Sequence, residues 1–150
     1  MKGSDRPALK PAIYFGAGVS AFVPFVSYVH PLFAFVLGPL AGVWFETRWR
    51  SRQLSFTQGA EIGFFSAFYG VLAASAIYDI AWHFFHEQLW RLNNAYRLLP
   101  LLAGKGQESS SPLEWYVFML QLTLIAIIAG ALAAPAGLLG VKLFQRDRRN

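Results

Sequence analysis

The sequence predicts an all-α fold: an integral membrane bundle of four transmembrane helices with an interfacial amphipathic helix in its outer loop. Three observations carry this expectation. Charged residues and apolar runs exclude one another, leaving long uncharged stretches at 12–29, 31–45, 62–78 and 115–141. A bilayer core of roughly 30 Å needs about 20 mainly apolar residues per helix, so each stretch is a candidate crossing. The basic residues are clustered: ten of the thirteen Lys and Arg lie at Lys2, Arg6 and Lys10, at Arg48, Arg50 and Arg52, and at Lys142, Arg146, Arg148 and Arg149. Finally, 150 residues that are 55% hydrophobic and 17% aromatic have room for one transmembrane domain spanning 1–150 and for no separate soluble one.

The first two helices follow from charge. The positive-inside rule puts all three basic clusters in the cytoplasm, and with them both termini. Two clusters on one side require an even number of crossings between them, so the uncharged run Pro11 to Phe45 crosses twice, with the turn at His30-Pro31. The expected spans are 12–29 and 31–46, the second short for a full crossing. Ten polar or small residues precede the first run and no small-residue cleavage site follows it, so a cleavable signal peptide is not expected.

The third span is expected at 57–85, opened by Ser55-Phe-Thr-Gln58, which fits a capping box. Beyond it, Leu89, Trp90, Leu92, Tyr96, Leu98 and Leu99 have the spacing of an amphipathic helix lying at the outer headgroups, followed by a flexible loop over 104–111. Ser111-Pro-Leu-Glu114 combines a second capping box with a proline at the first helical position, so the fourth span is expected at 112–142.

Helices in lipid associate by close backbone approach and polar contacts, because lipid tails are as apolar as leucine. Small residues therefore mark the expected packing faces: Gly38 and Gly42 in the second span, Gly63 and Gly70 in the third, Gly130 and Gly137 in the fourth. Such faces serve either the bundle itself or another membrane chain, including a second copy.

Asp79, His83, His86 and Glu87 fall within an arc of about 100° on one helix face. His30, at the turn after the first span, is expected at a similar depth. Three imidazoles and a carboxylate suit zinc or another borderline metal, and a histidine pair suits haem iron, so Asp79, His83, His86 and His30 are the candidate ligands. The simpler reading is a polar cap at the interface, with Trp82 and Trp90 beside it, and no cofactor. Glu61, near the cytoplasmic end, has Arg48, Arg50 or Arg52 within reach as counterions.

Absence of cysteine excludes disulfides, thiolate metal sites and thiol nucleophiles. No phosphate loop, nucleotide fingerprint or Ser-His-Asp arrangement at one depth is present, so an enzyme is not expected. The net charge of +5 reads as topology and lipid contact rather than nucleic-acid binding. The function expected is that of a non-enzymatic accessory or scaffold subunit packed against a larger membrane assembly. The alternatives are a small self-associating transporter or channel, and a metal or haem binder at the outer face. From Arg48 onward, the basic turn, Leu54-Ser-Phe-Thr-Gln-Gly-Ala60, Gly63 and the Ser-Pro-Leu-Glu start of the last helix resemble a group of uncharacterised four-helix bacterial membrane proteins, a domain of unknown function. The resemblance covers about two thirds of the chain and implies a bacterial cytoplasmic membrane and a four-helix architecture. It implies no activity, and the three histidines with Asp79 are not part of its pattern.

Overall fold

A computed structural model describes residues 9–26, 31–95 and 112–146, with side chains omitted at 23–26, 31–32, 79, 81–83, 85–95, 112–115 and 146. The described residues form four α-helices and no strand: α1 Lys10–Val26, α2 Pro31–Trp44, α3 Phe56–Ala95 and α4 Pro112–Arg146, with a π-helical turn Phe45–Trp49 continuing α2. Proline opens α2 and α4 and follows the first residue of α1, positions where its missing N–H leaves no helical bond unmade. The start of α3 is capped reciprocally: Ser55 N donates to Gln58 Oε1 at 2.9 Å and Gln58 N donates to Ser55 Oγ at 3.2 Å. Each bond satisfies an amide that the helix cannot.

Two segments, Phe56–Tyr78 and Tyr116–Gln145, are long and apolar enough to cross a membrane, yet in the apolar 18-residue stretch of each only 39% and 28% of the residues are buried. The apolar helix of a soluble core would be mostly covered, so these two present their apolar side chains outward. Within the described residues α1 covers 17 residues and α2 covers 14, or about 26 and 21 Å of helix at 1.5 Å per residue.

One expectation changes. α3 runs unbroken for 40 residues, so Leu89 to Ala95 extend the third helix instead of opening a separate interfacial one. The physical reason is the lack of a breaker: neither Gly nor Pro occurs between Gly70 and Pro100. The remainder of the expected interfacial helix, at 96–99, lies outside the described residues, as does the loop at 104–111.

The helices pack through small residues in a fixed register. α1 and α2 are antiparallel, with Ala12 against Gly42, Gly16 against Gly38, and the Ser20 hydroxyl donating to Ala34 O at 3.2 Å. α3 lies parallel to α1 and packs against both α1 and α2: Ser66 Oγ donates to Ile13 O at 3.4 Å, Gly70 packs on Ser20 and Ala17, and Gly42 faces Ile62. α4 is antiparallel to α3, with Gly137 on Gly59 and Ala133 on Gly63, and it also touches α2 where Gly140 meets Val43. Consecutive helices therefore alternate in direction. One core cluster, Ala12, Val43, Leu54, Ile62 and Val141, closes the end at which α1 and α3 begin and α2 and α4 finish. A second, Val71, Leu122, Ala126 and Ala129, fills the α3–α4 seam further along.

Candidate functional site

The feature with the most chemistry among the described residues is the turn that ends α2. Glu46 lies one helical turn after Val43, on the same face, so it continues the buried stripe into the first core cluster and has 0% of its surface exposed. A lone carboxylate so placed would cost several kcal/mol. Two guanidinium groups offset that cost: Arg50 Nη1 lies 3.4 Å from Glu46 Oε2 and Arg52 Nη1 lies 3.2 Å from Glu46 Oε1. Charge-assisted hydrogen bonds of this kind are about twice as strong as neutral ones.

Backbone geometry makes the second pairing possible. Arg50 stands four residues after Glu46, one turn along a helix, but Arg52 at six residues would lie on another face. Thr47 is buried, and its hydroxyl donates to Val43 O at 2.8 Å and Trp44 O at 3.2 Å, competing with the backbone amides for those carbonyls. The turn widens to π-helical spacing, with Arg50 N bonded to Phe45 O at 3.2 Å. Ser51 then adopts the left-handed conformation at φ 52°, and Arg52 N folds back on Glu46 O at 3.1 Å. A non-glycine residue there costs about 1–2 kcal/mol, so the surrounding contacts must hold it. Further along, Gln145 Nε2 donates to Leu54 O at 2.9 Å and ties the connection to the end of α4.

Aromatic rings brace the same turn. Phe15 stacks on Phe45 at 4.9 Å and Phe45 on Trp49 at 6.1 Å, so the ring of Trp49, 75% exposed, stands on a fixed column. The arginines neutralise Glu46 here, whereas sequence spacing had put them opposite Glu61. Two things distinguish Glu46: the buried face it shares with Val43, and the π-turn that brings Arg52 to it as a second partner.

The six glycines of the expected packing faces all lie at helix contacts. A methyl group on Gly38 would strike Ser20 Oγ and lie 2.6 Å from Gly16 O, and on Gly42 it would lie 2.7 Å from Ala12 O. On Gly63 it would lie 2.8 Å from Ala133 O, on Gly130 2.9 Å from Phe64 O, and on Gly70 2.5 Å from Ser20 Cβ. On Gly137 it would run into the carbonyl of Gly59. Gly18 alone among the described glycines has open space where a Cβ would stand, with Tyr14 (63% exposed) and Phe22 one turn away along α1 on either side. On α3, the ring of Tyr69 lies 6.4 Å from that of Tyr14, centre to centre.

Asp79, His83 and His86 lie on the α3 backbone, but their side chains, and all of His30, fall outside the described residues. Among the described residues no three His, Asp or Glu side chains form a group able to hold a metal. The interior hydroxyls of Ser20 and Ser66 bond to backbone carbonyls. Where α2 and α4 diverge from the Gly140 contact, an apolar cleft of about 270 Å³ opens between Phe35, Val36, Ile125, Ile128 and Leu132. No protein-family model, curated protein or solved structure matches the chain.

Proposed function

We propose that the chain is a non-enzymatic integral membrane protein, a four-span bundle in the bacterial cytoplasmic membrane with both termini in the cytoplasm. In this reading it is an accessory or scaffold subunit that docks against another membrane chain, as a member of the four-helix group it resembles and without a cofactor. The outward-facing apolar surface of α3 and α4 supports lipid contact. The alternating helix directions bring Lys10, the Arg48–Arg52 turn and Lys142 to one end, as the positive-inside rule requires of an even-span topology.

The observation that carries the docking role is Gly18. At nine of the ten described glycines an added methyl would meet other atoms of the chain, so their small size is explained by the fold; at half-buried Gly18 it would meet none within 4 Å, and exposed aromatic rings stand one turn to either side. A glycine notch between aromatic walls admits the backbone of a neighbouring helix. The interior hydroxyls, engaged with carbonyls, favour this reading over a channel.

Two measurements test it. Reporters fused after Asn150 and within 48–52 are expected to be cytoplasmic, and one within 104–110 external; an external C-terminus would sink the topology. Gly18→Ile fills open space, so the stability measured by thermal unfolding in mild detergent should stay within about 0.5 kcal/mol of wild type. Association with the chain that co-purifies with the wild type should be lost. If Gly18→Ile retains its partner at wild-type yield, the notch is not the docking face; if the wild type purifies alone and monomeric, the subunit role fails.

A further inference from the structure

We propose that the Glu46–Arg52 turn is a preorganised site for the headgroup of an anionic phospholipid. The inference rests on the membrane reading above and goes beyond it by assigning one turn a ligand. Charge is the first argument. The described side chains at this end comprise Lys10, Arg48, Arg50, Arg52 and Lys142 against Glu46 and Glu61, five basic and two acidic, a local balance of +3. Each basic residue near an anionic lipid surface strengthens binding by about fivefold, the equivalent of about 1 kcal/mol.

Topology determination needs charge alone, and it places no demand on how arginines are held. These arginines are held. A carboxylate with no exposed surface fixes Arg50 and Arg52 together, although 29% and 38% of their side chains remain accessible. A left-handed serine and a widened helical turn are both needed to bring Arg52 there. Two planar guanidinium groups clamped side by side match the oxygens of a phosphodiester, for which arginine is suited by its fork of donors. The apolar rim matches the rest of a lipid. Trp49 stands on its stacked column, and Phe56 is 62% exposed just past the turn, in the belt where aromatic rings sit between headgroups and acyl chains.

The built site and a diffuse positive patch give opposite results for one substitution. Glu46→Gln makes this end more positive, so a diffuse patch would bind anionic lipid more tightly. In a built site the arginines lose their anchor, and phosphatidylglycerol binding should weaken by about fivefold, the cost of immobilising a long side chain on binding. The full-length protein in detergent micelles is titrated with phosphatidylglycerol or phosphatidylcholine of the same acyl chains, and bound lipid is read by native mass spectrometry. Wild type should prefer phosphatidylglycerol, and both Glu46→Gln and Arg52→Gln should lose the preference. Arg52→Gln keeps the Arg50–Glu46 pair, so it stays folded and keeps the test valid if Glu46→Gln does not fold. Tighter binding by Glu46→Gln, or equal binding of the two lipids by wild type, overturns the site. Displacement of the lipid by excess inorganic phosphate would assign the turn to a free anion, and displacement by an acidic peptide would assign it to a protein partner; either overturns it as a lipid site. A wild-type chain that survives an alkaline carbonate wash of membranes without lipid preference loses this site alone, whereas one that washes off loses the membrane reading.

Discussion

Gly137→Ile is expected to destabilise the bundle by about 3 kcal/mol, at the upper end of what overpacking costs. The size follows from what the new side chain meets. Flexible side chains can rotate away from an added methyl, but the obstacle at Gly137 is the Gly59 carbonyl, with the Gly63 Cα 3.0 Å away, and both belong to helix backbone. Relief requires α3 and α4 to move apart, which loosens the Val71, Leu122, Ala126 and Ala129 cluster along the same seam. Gly63→Ile meets Ala133 O and Ala134 Cα and should behave alike, and the two together should cost less than their sum, because the helices separate only once. Thermal unfolding in mild detergent measures this, with Gly18→Ile as the matched control. Wild-type stability for both variants would remove the α3–α4 crossing from the account of the fold.

These seams were legible because a glycine within an apolar helix has few uses other than close approach, and the register that pairs Gly59 with Gly137 also pairs Gly63 with Ala133. The capping box at Ser55 was legible for a similar reason: its two bonds are local and owe nothing to the rest of the molecule. The length of α3 was misjudged where amphipathic spacing over 89–99 was read as a new element, although an unbroken helix carries the same spacing. Glu46 was not legible at all. It stands at the end of an uncharged stretch and looks like the first residue of a polar turn. Its burial depends on the face it shares with Val43, and its second partner depends on a change of helical pitch that no periodicity argument contains. Gly18 was equally silent, since its sequence neighbourhood does not differ from that of Gly16, which packs against Ser66 and Gly38.

Replacing both partners of Glu46, in the double variant Arg50→Gln/Arg52→Gln, is expected to cost about 2 kcal/mol. Removing one side of a buried ion pair typically costs 3–5 kcal/mol, since the remaining charge is left in a poor solvent. A lower figure applies here because both arginines are about a third exposed, so water already screens part of the attraction that is lost. Either single substitution should cost clearly less, since the other guanidinium still meets a carboxylate oxygen. The informative comparison is the triple variant that adds Glu46→Leu. If the double variant fails because it strands a carboxylate with no exposed surface, an apolar side chain of similar size should restore most of the loss, as replacement of a buried pair by packed hydrophobes is often neutral or better. The same triple variant should show no preference for phosphatidylglycerol over phosphatidylcholine. Recovery of stability without recovery of lipid preference would separate what the turn does for the fold from what it does at the membrane surface. A triple variant as unstable as the double would mean instead that the arginines hold the π-turn through their bonds rather than by neutralising Glu46.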